Sequence, residues 1–139
     1  MKFHNFRVAP ESKHSLHLFK PSIVFLLTDT MSSRREIFDG LIKGKCPFMI
    51  ETRMASSYGN VYTVNPFDKN ASQEWIDSLI DDDDAETSAC GASISVGPTA
   101  AIIANLAVWQ FINFCTNPVA IDKTLEIHLK PTILTAKAA

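Results

Sequence analysis

Ser22-Ile23-Val24-Phe25-Leu26-Leu27-Thr28-Asp29-Thr30 is the stretch on which the fold turns. Its apolar run has no polar residue at alternate positions, which predicts a strand buried on both faces, as in a parallel sheet. The run stops at Thr28-Asp29-Thr30. Ser32 to Ile42 follows, with Ile37, Phe38, Leu41 and Ile42 on one helical face. Ser32 or Ser33 can cap the start of that helix and Gly44 its end. Pro47 to Thr52 predicts the next strand. Strand, helix and strand joined by short links form the βαβ pattern of an α/β sheet.

Beyond this unit, Tyr58 to Val64 reads as a third strand, with Gly59 in its leading turn and Asn65-Pro66 as its stop. Residues 67–90 differ in character. A short amphipathic piece, Gln73 to Ile80, runs into Asp81-Asp82-Asp83-Asp84-Ala85-Glu86. Adjacent carboxylates repel, so the segment is expected to be a solvated, mobile acidic loop. A cation site is the competing reading, and it needs a specific turn to converge the oxygens. Gly97-Pro98 opens an apolar helix, proline suiting the first helical position. The run Pro98 to Cys115 holds Asn105, Gln110 and Asn113, which favours a buried core helix over a membrane span. Thr124 to Leu129 alternates like a half-exposed strand, and Pro131 breaks it. Residues 1–20 show little periodicity and are expected to be irregular, leaving 21–139 as the domain.

Composition narrows the functional classes. The chain has 139 residues, is 46% hydrophobic and 20% charged, and carries a formal charge of −2. That is ordinary for a globular protein long enough to bury a core. Basic residues form no stripe, so no nucleic-acid partner is expected. The three cysteines, Cys46, Cys90 and Cys115, make no CxxC pair. This argues against structural zinc and fits a reducing cytoplasm. His14 and His17 form an HxxH in a segment without helical character, so no metal is assigned to them.

The order of motifs from Phe25 to Pro66 resembles the middle of the ThiF/MoeB family, the adenylating enzymes related to the ubiquitin-activating enzyme. The matching residues are Thr28-Asp29-Thr30, Arg34, Gly44-Lys45-Cys46-Pro47 and Gly59-Asn60-Val61. Cys90 to Pro98, the apolar helix and the strand Leu125 to Leu129 extend the resemblance over roughly residues 20 to 130. Thr30 replaces the family's Asn, the acidic crossover is short, and none of the five glycines falls in a GxGxxG. The resemblance therefore implies an α/β, Rossmann-like sheet corresponding to the second half of a ThiF-type adenylation domain. The phosphate-cradling half would come from upstream sequence or a complementary chain.

The resemblance also implies a chemistry. ATP and magnesium are the expected cofactors, and the C-terminal carboxylate of a small ubiquitin-fold protein is the expected substrate. Asp29 matches the family's magnesium-binding carboxylate, with helix capping as the alternative. Arg34 matches its helix-opening arginine, which could orient Asp29 or the incoming tail, or simply be solvated. Arg53 could meet a carboxylate or form a surface salt bridge. Cys90 could accept an acyl group or persulfide, or be an inert thiol. A non-catalytic subunit that pairs with another chain, or a homodimer, is the alternative to an adenylyltransferase.

Overall fold

The computed structural model describes residues 23–82 and 97–138. Expectations for residues 1–20, for Asp83 to Glu86 and for Cys90 lie outside the described residues. The elements run β1 (Val24–Leu26), α1 (Met31–Ile37), a π-helical continuation (Phe38–Ile42), β2 (Met49–Met54), β3 (Tyr58–Val64), α2 (Lys69–Asp77), α3 (Gly97–Thr116), β4 (Asp122–Leu129) and β5 (Thr132–Ala138). The described strands form one five-stranded sheet in sequential order.

β1 and β2 are parallel, with Phe25 opposite Ile50, because α1 carries the chain back across one face. Every later pairing is antiparallel. Only residues 55–57 separate β2 from β3, and Ala55 N donates to Tyr58 O at 2.8 Å. A link this short can join only antiparallel neighbours. The same logic joins β4 to β5 through Lys130-Pro131. The result is the expected α/β, Rossmann-like sheet with helices on both faces, its parallel character confined to one strand pair.

Strand alternation divides the core. Met49 and Val64 face α1 and α2, where they join Leu26, Phe38, Ile42, Cys46 and Trp75. Ile50 and Val61 point the other way and pack with Leu125 and Ile127 under α3. Phe38 and Trp75 meet with ring centroids 4.5 Å apart. Burial raises the Cys46 thiol above its ordinary value, in keeping with an inert core residue.

Three local expectations change. Thr30, not Ser32 or Ser33, caps α1: its Oγ1 accepts from Ser33 N at 3.3 Å. In residues 67–90, where a short amphipathic piece from Gln73 to Ile80 and an acidic loop are expected, helix α2 starts earlier, at Lys69. Asp68 starts it, its Oδ1 accepting from Asn70 N at 2.8 Å and Ala71 N at 3.2 Å, and Trp75 anchors it. Gly59 lies within β3 rather than in a turn. A Cβ there would stand 2.6 Å from Ile103 Cδ1 and 2.9 Å from Arg53 O, so its bare backbone lets α3 approach the sheet.

α3 presents Thr99, Ile103, Ala107 and Gln110 to the sheet, a spacing that keeps them on one helical face. The expected core helix is thus buried on one side only. Its length and composition would suffice to cross a membrane. Val108, Trp109 and Ile112 remain exposed on its far side.

Candidate functional site

A groove of about 1140 Å³ opens beyond the carboxyl ends of β1 and β2, and both Asp29 and Arg34 line it. In α/β sheets this edge is where ligands collect, since loops there can vary without disturbing the sheet. Asp29 follows β1 directly and is exposed. Arg34 sits on α1, four residues after its cap at Thr30. Only 5% of Arg34 is exposed.

Across from Arg34 stands Glu51 of β2, with 0% exposure. Arg34 Nε lies 2.7 Å from Glu51 Oε1. The contact is an ion pair whose N–H is out of line for a hydrogen bond. Arg34 Nη2 donates to Thr52 O at 3.0 Å, and Nη1 faces only the thioether of Met31, at 3.7 Å. The guanidinium therefore keeps donor capacity toward the groove. Burial lowers its pKa, while Glu51 and Asp29 favour the charged form.

Arg53, two residues along β2, shares the face of Glu51. Its Nε donates to Oε2 at 2.9 Å and Oε1 at 3.1 Å. Nη1 donates to Ser78 O at 2.6 Å and Nη2 to Ser78 Oγ at 3.0 Å, tying β2 to the end of α2. The guanidinium also lies 4.3 Å from the centre of the Tyr62 ring. Trp75 Nε1 donates to Glu51 Oε2 at 3.2 Å. Glu51 is thus the common partner of two cations and an indole. Burying a carboxylate is costly unless it is paired and hydrogen-bonded, as it is here. The surface salt bridge weighed for Arg53 is instead an interior one.

A second carboxylate reaches α1 from a distance. Asp82 accepts from the backbone N–H groups of Met31 and Ser32. Hydrogen bonds from Ser32 and Met31 hold its pKa below the ordinary carboxylate value. This member of the aspartate run closes the helix start rather than floating free.

The groove wall also contains unsatisfied polar atoms. Among the described residues neither Thr28 Oγ1 nor Asn60 Oδ1, both buried, has a hydrogen-bond partner, and both residues line the groove. Each such atom costs about 1–3 kcal/mol if nothing satisfies it.

Magnesium takes one or two carboxylates and completes its shell with water and phosphate oxygens. A single exposed Asp29 beside an open groove fits that demand. Among the described residues no group of three His, Cys, Asp or Glu could form an all-protein cage.

Asp29 and Arg34, singled out in the sequence, line one groove; Cys90 lies outside the described residues. Glu51, Trp75 and Ser78 were not singled out. One signal for Glu51 is visible in the sequence: a lone carboxylate inside the apolar strand Phe48-Met49-Ile50, two residues from an arginine.

No curated protein matches this chain in sequence. The profile of the ThiF family matches residues 1–138. That match spans nearly the whole chain and agrees with the sheet, so the chain belongs to the ThiF family.

Proposed function

We propose that the groove is the place where the C-terminal carboxylate of a small ubiquitin-fold protein is joined to the α-phosphate of ATP. ThiF membership supports adenylyltransferase chemistry at the family level. The observation that carries the finer reading is the placement of Asp29 and the inward-turned Arg34 on one groove at the carboxyl end of β1.

In this reading a carboxylate oxygen attacks the α-phosphorus, the bond to the bridging oxygen breaks, and pyrophosphate leaves. Two anions must approach, so charge neutralisation and alignment dominate the barrier. Asp29 would hold magnesium, which neutralises the triphosphate. Arg34, anchored by Glu51 and Thr52, would offer the incoming carboxylate its Nη1, which is held only by the weak contact to the Met31 thioether. Glu51 holds both arginines in place without touching substrate. No GxGxxG occurs in the 139 residues, so the reading includes a complementary segment that cradles the phosphates, and the chain alone is expected to be weakly active or inactive.

The test is ATP–pyrophosphate exchange with a ubiquitin-fold partner and a complementary glycine-loop segment. Asp29→Asn is expected to lower exchange about a hundredfold. Its thermal unfolding should be unchanged, because Asp29 is exposed. If the supplemented wild type neither exchanges nor binds ATP, the adenylation reading fails.

The exposed apolar side of α3, with Trp109 58% exposed, favours a second reading as a non-catalytic pairing subunit or homodimer. Light scattering separates the two: a well-folded monomer at all concentrations counts against pairing.

A further inference from the structure

Trp75 of α2 reaches Arg34 of α1 by two routes. The first runs through Glu51, whose Oε2 accepts from Trp75 Nε1 at 3.2 Å while its Oε1 lies 2.7 Å from Arg34 Nε. A carboxylate is rigid, so whatever holds Oε2 also fixes where Oε1 stands. The second route runs through the helix. The Trp75 ring meets Phe38 at a centroid distance of 4.5 Å. Phe38 stands one helical turn after Arg34, and its backbone N–H donates to Arg34 O. The same indole therefore touches the carboxylate that faces Arg34 and the turn of helix that carries it.

Core packing explains the ring. Trp75 is 2% exposed and joins the cluster of Leu26, Phe38 and Met49. It does not explain the N–H. The terminal torsion of a glutamate is broad, so its carboxylate needs an outside contact to set its tilt. Arg53 Nε straddles the two oxygens, at 2.9 Å from Oε2 and 3.1 Å from Oε1, and leaves that tilt loose. The indole N–H holds Oε2 and sets it. On the other side of the pair, Arg34 Nη2 is pinned on Thr52 O at 3.0 Å, and Nη1 meets the Met31 thioether, a weak acceptor, at 3.7 Å. A guanidinium pinned at one end can turn about that bond, and Glu51 sets the turn.

We propose that Trp75 is a positioning residue. Its indole N–H fixes the rotation of the Glu51 carboxylate and thereby the angle at which Arg34 presents Nη1 to the groove. The inference rests on the adenylation reading for what Arg34 meets there, a substrate carboxylate. The coupling between Trp75 and Arg34 does not depend on that reading.

Trp75→Phe keeps a ring against Phe38 and deletes the N–H. In pyrophosphate exchange by the full chain with a complementary glycine-loop segment and a ubiquitin-fold partner, kcat is expected to fall about tenfold, with KM for ATP within about twofold of wild type. Arg34→Lys has already lost the planar guanidinium, so adding Trp75→Phe to it is expected to cost less than about twofold more. Losses that multiply in this cycle overturn the inference, as does a rise in KM for ATP in place of the fall in kcat. A second measurement needs neither turnover nor a tryptophan variant. The chain has two tryptophans, Trp75 and Trp109, and so two indole N–H signals in NMR. Arg34→Lys is expected to move the Trp75 signal well beyond its line width and to leave that of Trp109 in place. Ile127→Val, which loosens the core on the opposite face of the sheet, is expected to move neither. An unmoved Trp75 signal in Arg34→Lys overturns the inference, as does an equal shift in Ile127→Val. If the supplemented wild type shows no exchange, the adenylation reading fails and the indole signals alone decide the role of Trp75. Normal exchange with an unmoved Trp75 signal sinks that role and leaves adenylation standing.

Discussion

Removing the charge of Glu51 while keeping its shape would leave Arg34 and Arg53 in the interior without the carboxylate that pairs with both. Glu51→Gln is therefore expected to destabilise the fold by about 3–5 kcal/mol, read as a lower urea midpoint at unchanged slope. Arg34→Lys should be milder in stability yet impair the site, since an ammonium cannot reproduce the planar contacts to Glu51 and Thr52. At this scale the sequence is partly legible. Glu51 and Arg53 stand two apart on a strand, so a shared face follows from the pleat alone. The inward position of Arg34 does not follow from its own neighbourhood. It depends on a carboxylate 17 positions away that meets it only once β2 has paired with β1.

The start of α1 is held by two devices of different range, the local cap from Thr30 and the distant carboxylate of Asp82. The folded-state pKa of Asp82 is depressed, so its contribution is fully present above the unfolded carboxylate value. That contribution disappears as pH falls through the lower folded value. Amide exchange at Met31 and Ser32 should therefore stay protected at mildly acidic pH and lose protection only below the ordinary carboxylate range. Loss of protection near neutrality would contradict this tether. The β3–α3 contact makes a second demand. Gly59→Ala is expected to cost about 1–3 kcal/mol through overpacking against Ile103 and the Arg53 carbonyl, measured by thermal or urea unfolding. Helix α2 (Lys69–Asp77) begins four residues before the amphipathic piece expected at Gln73 to Ile80, because its first turn, capped by Asp68, is polar and gives no apolar signal; Ser72 and Trp75 are its buried residues.

For the molecule as a whole, the βαβ unit and the α/β class were legible because periodicity and link length are local properties. The switch to antiparallel pairing after β2 was also encoded, in a link too short for a crossover. The depth of α3 was not. Its apolar composition predicts burial on all sides, yet within the described residues the sheet supplies only one covering surface. What an element can bury is decided by what the rest of the assembly offers it.

The antiparallel seam between β3 and β4 has a kinetic consequence. Its two hairpins, β2–β3 and β4–β5, can each close locally. The seam joins Tyr62 to Thr124 and Tyr58 to His128, residues more than sixty positions apart in the chain. Closing that loop costs entropy before any seam contact forms. Refolding is thus expected to be limited by the docking of two preformed hairpins, in the milliseconds-to-seconds range typical of non-local sheets. Until they dock, the wall that carries Asn60 has no partner strand behind it, so the groove is among the last features of the molecule to appear.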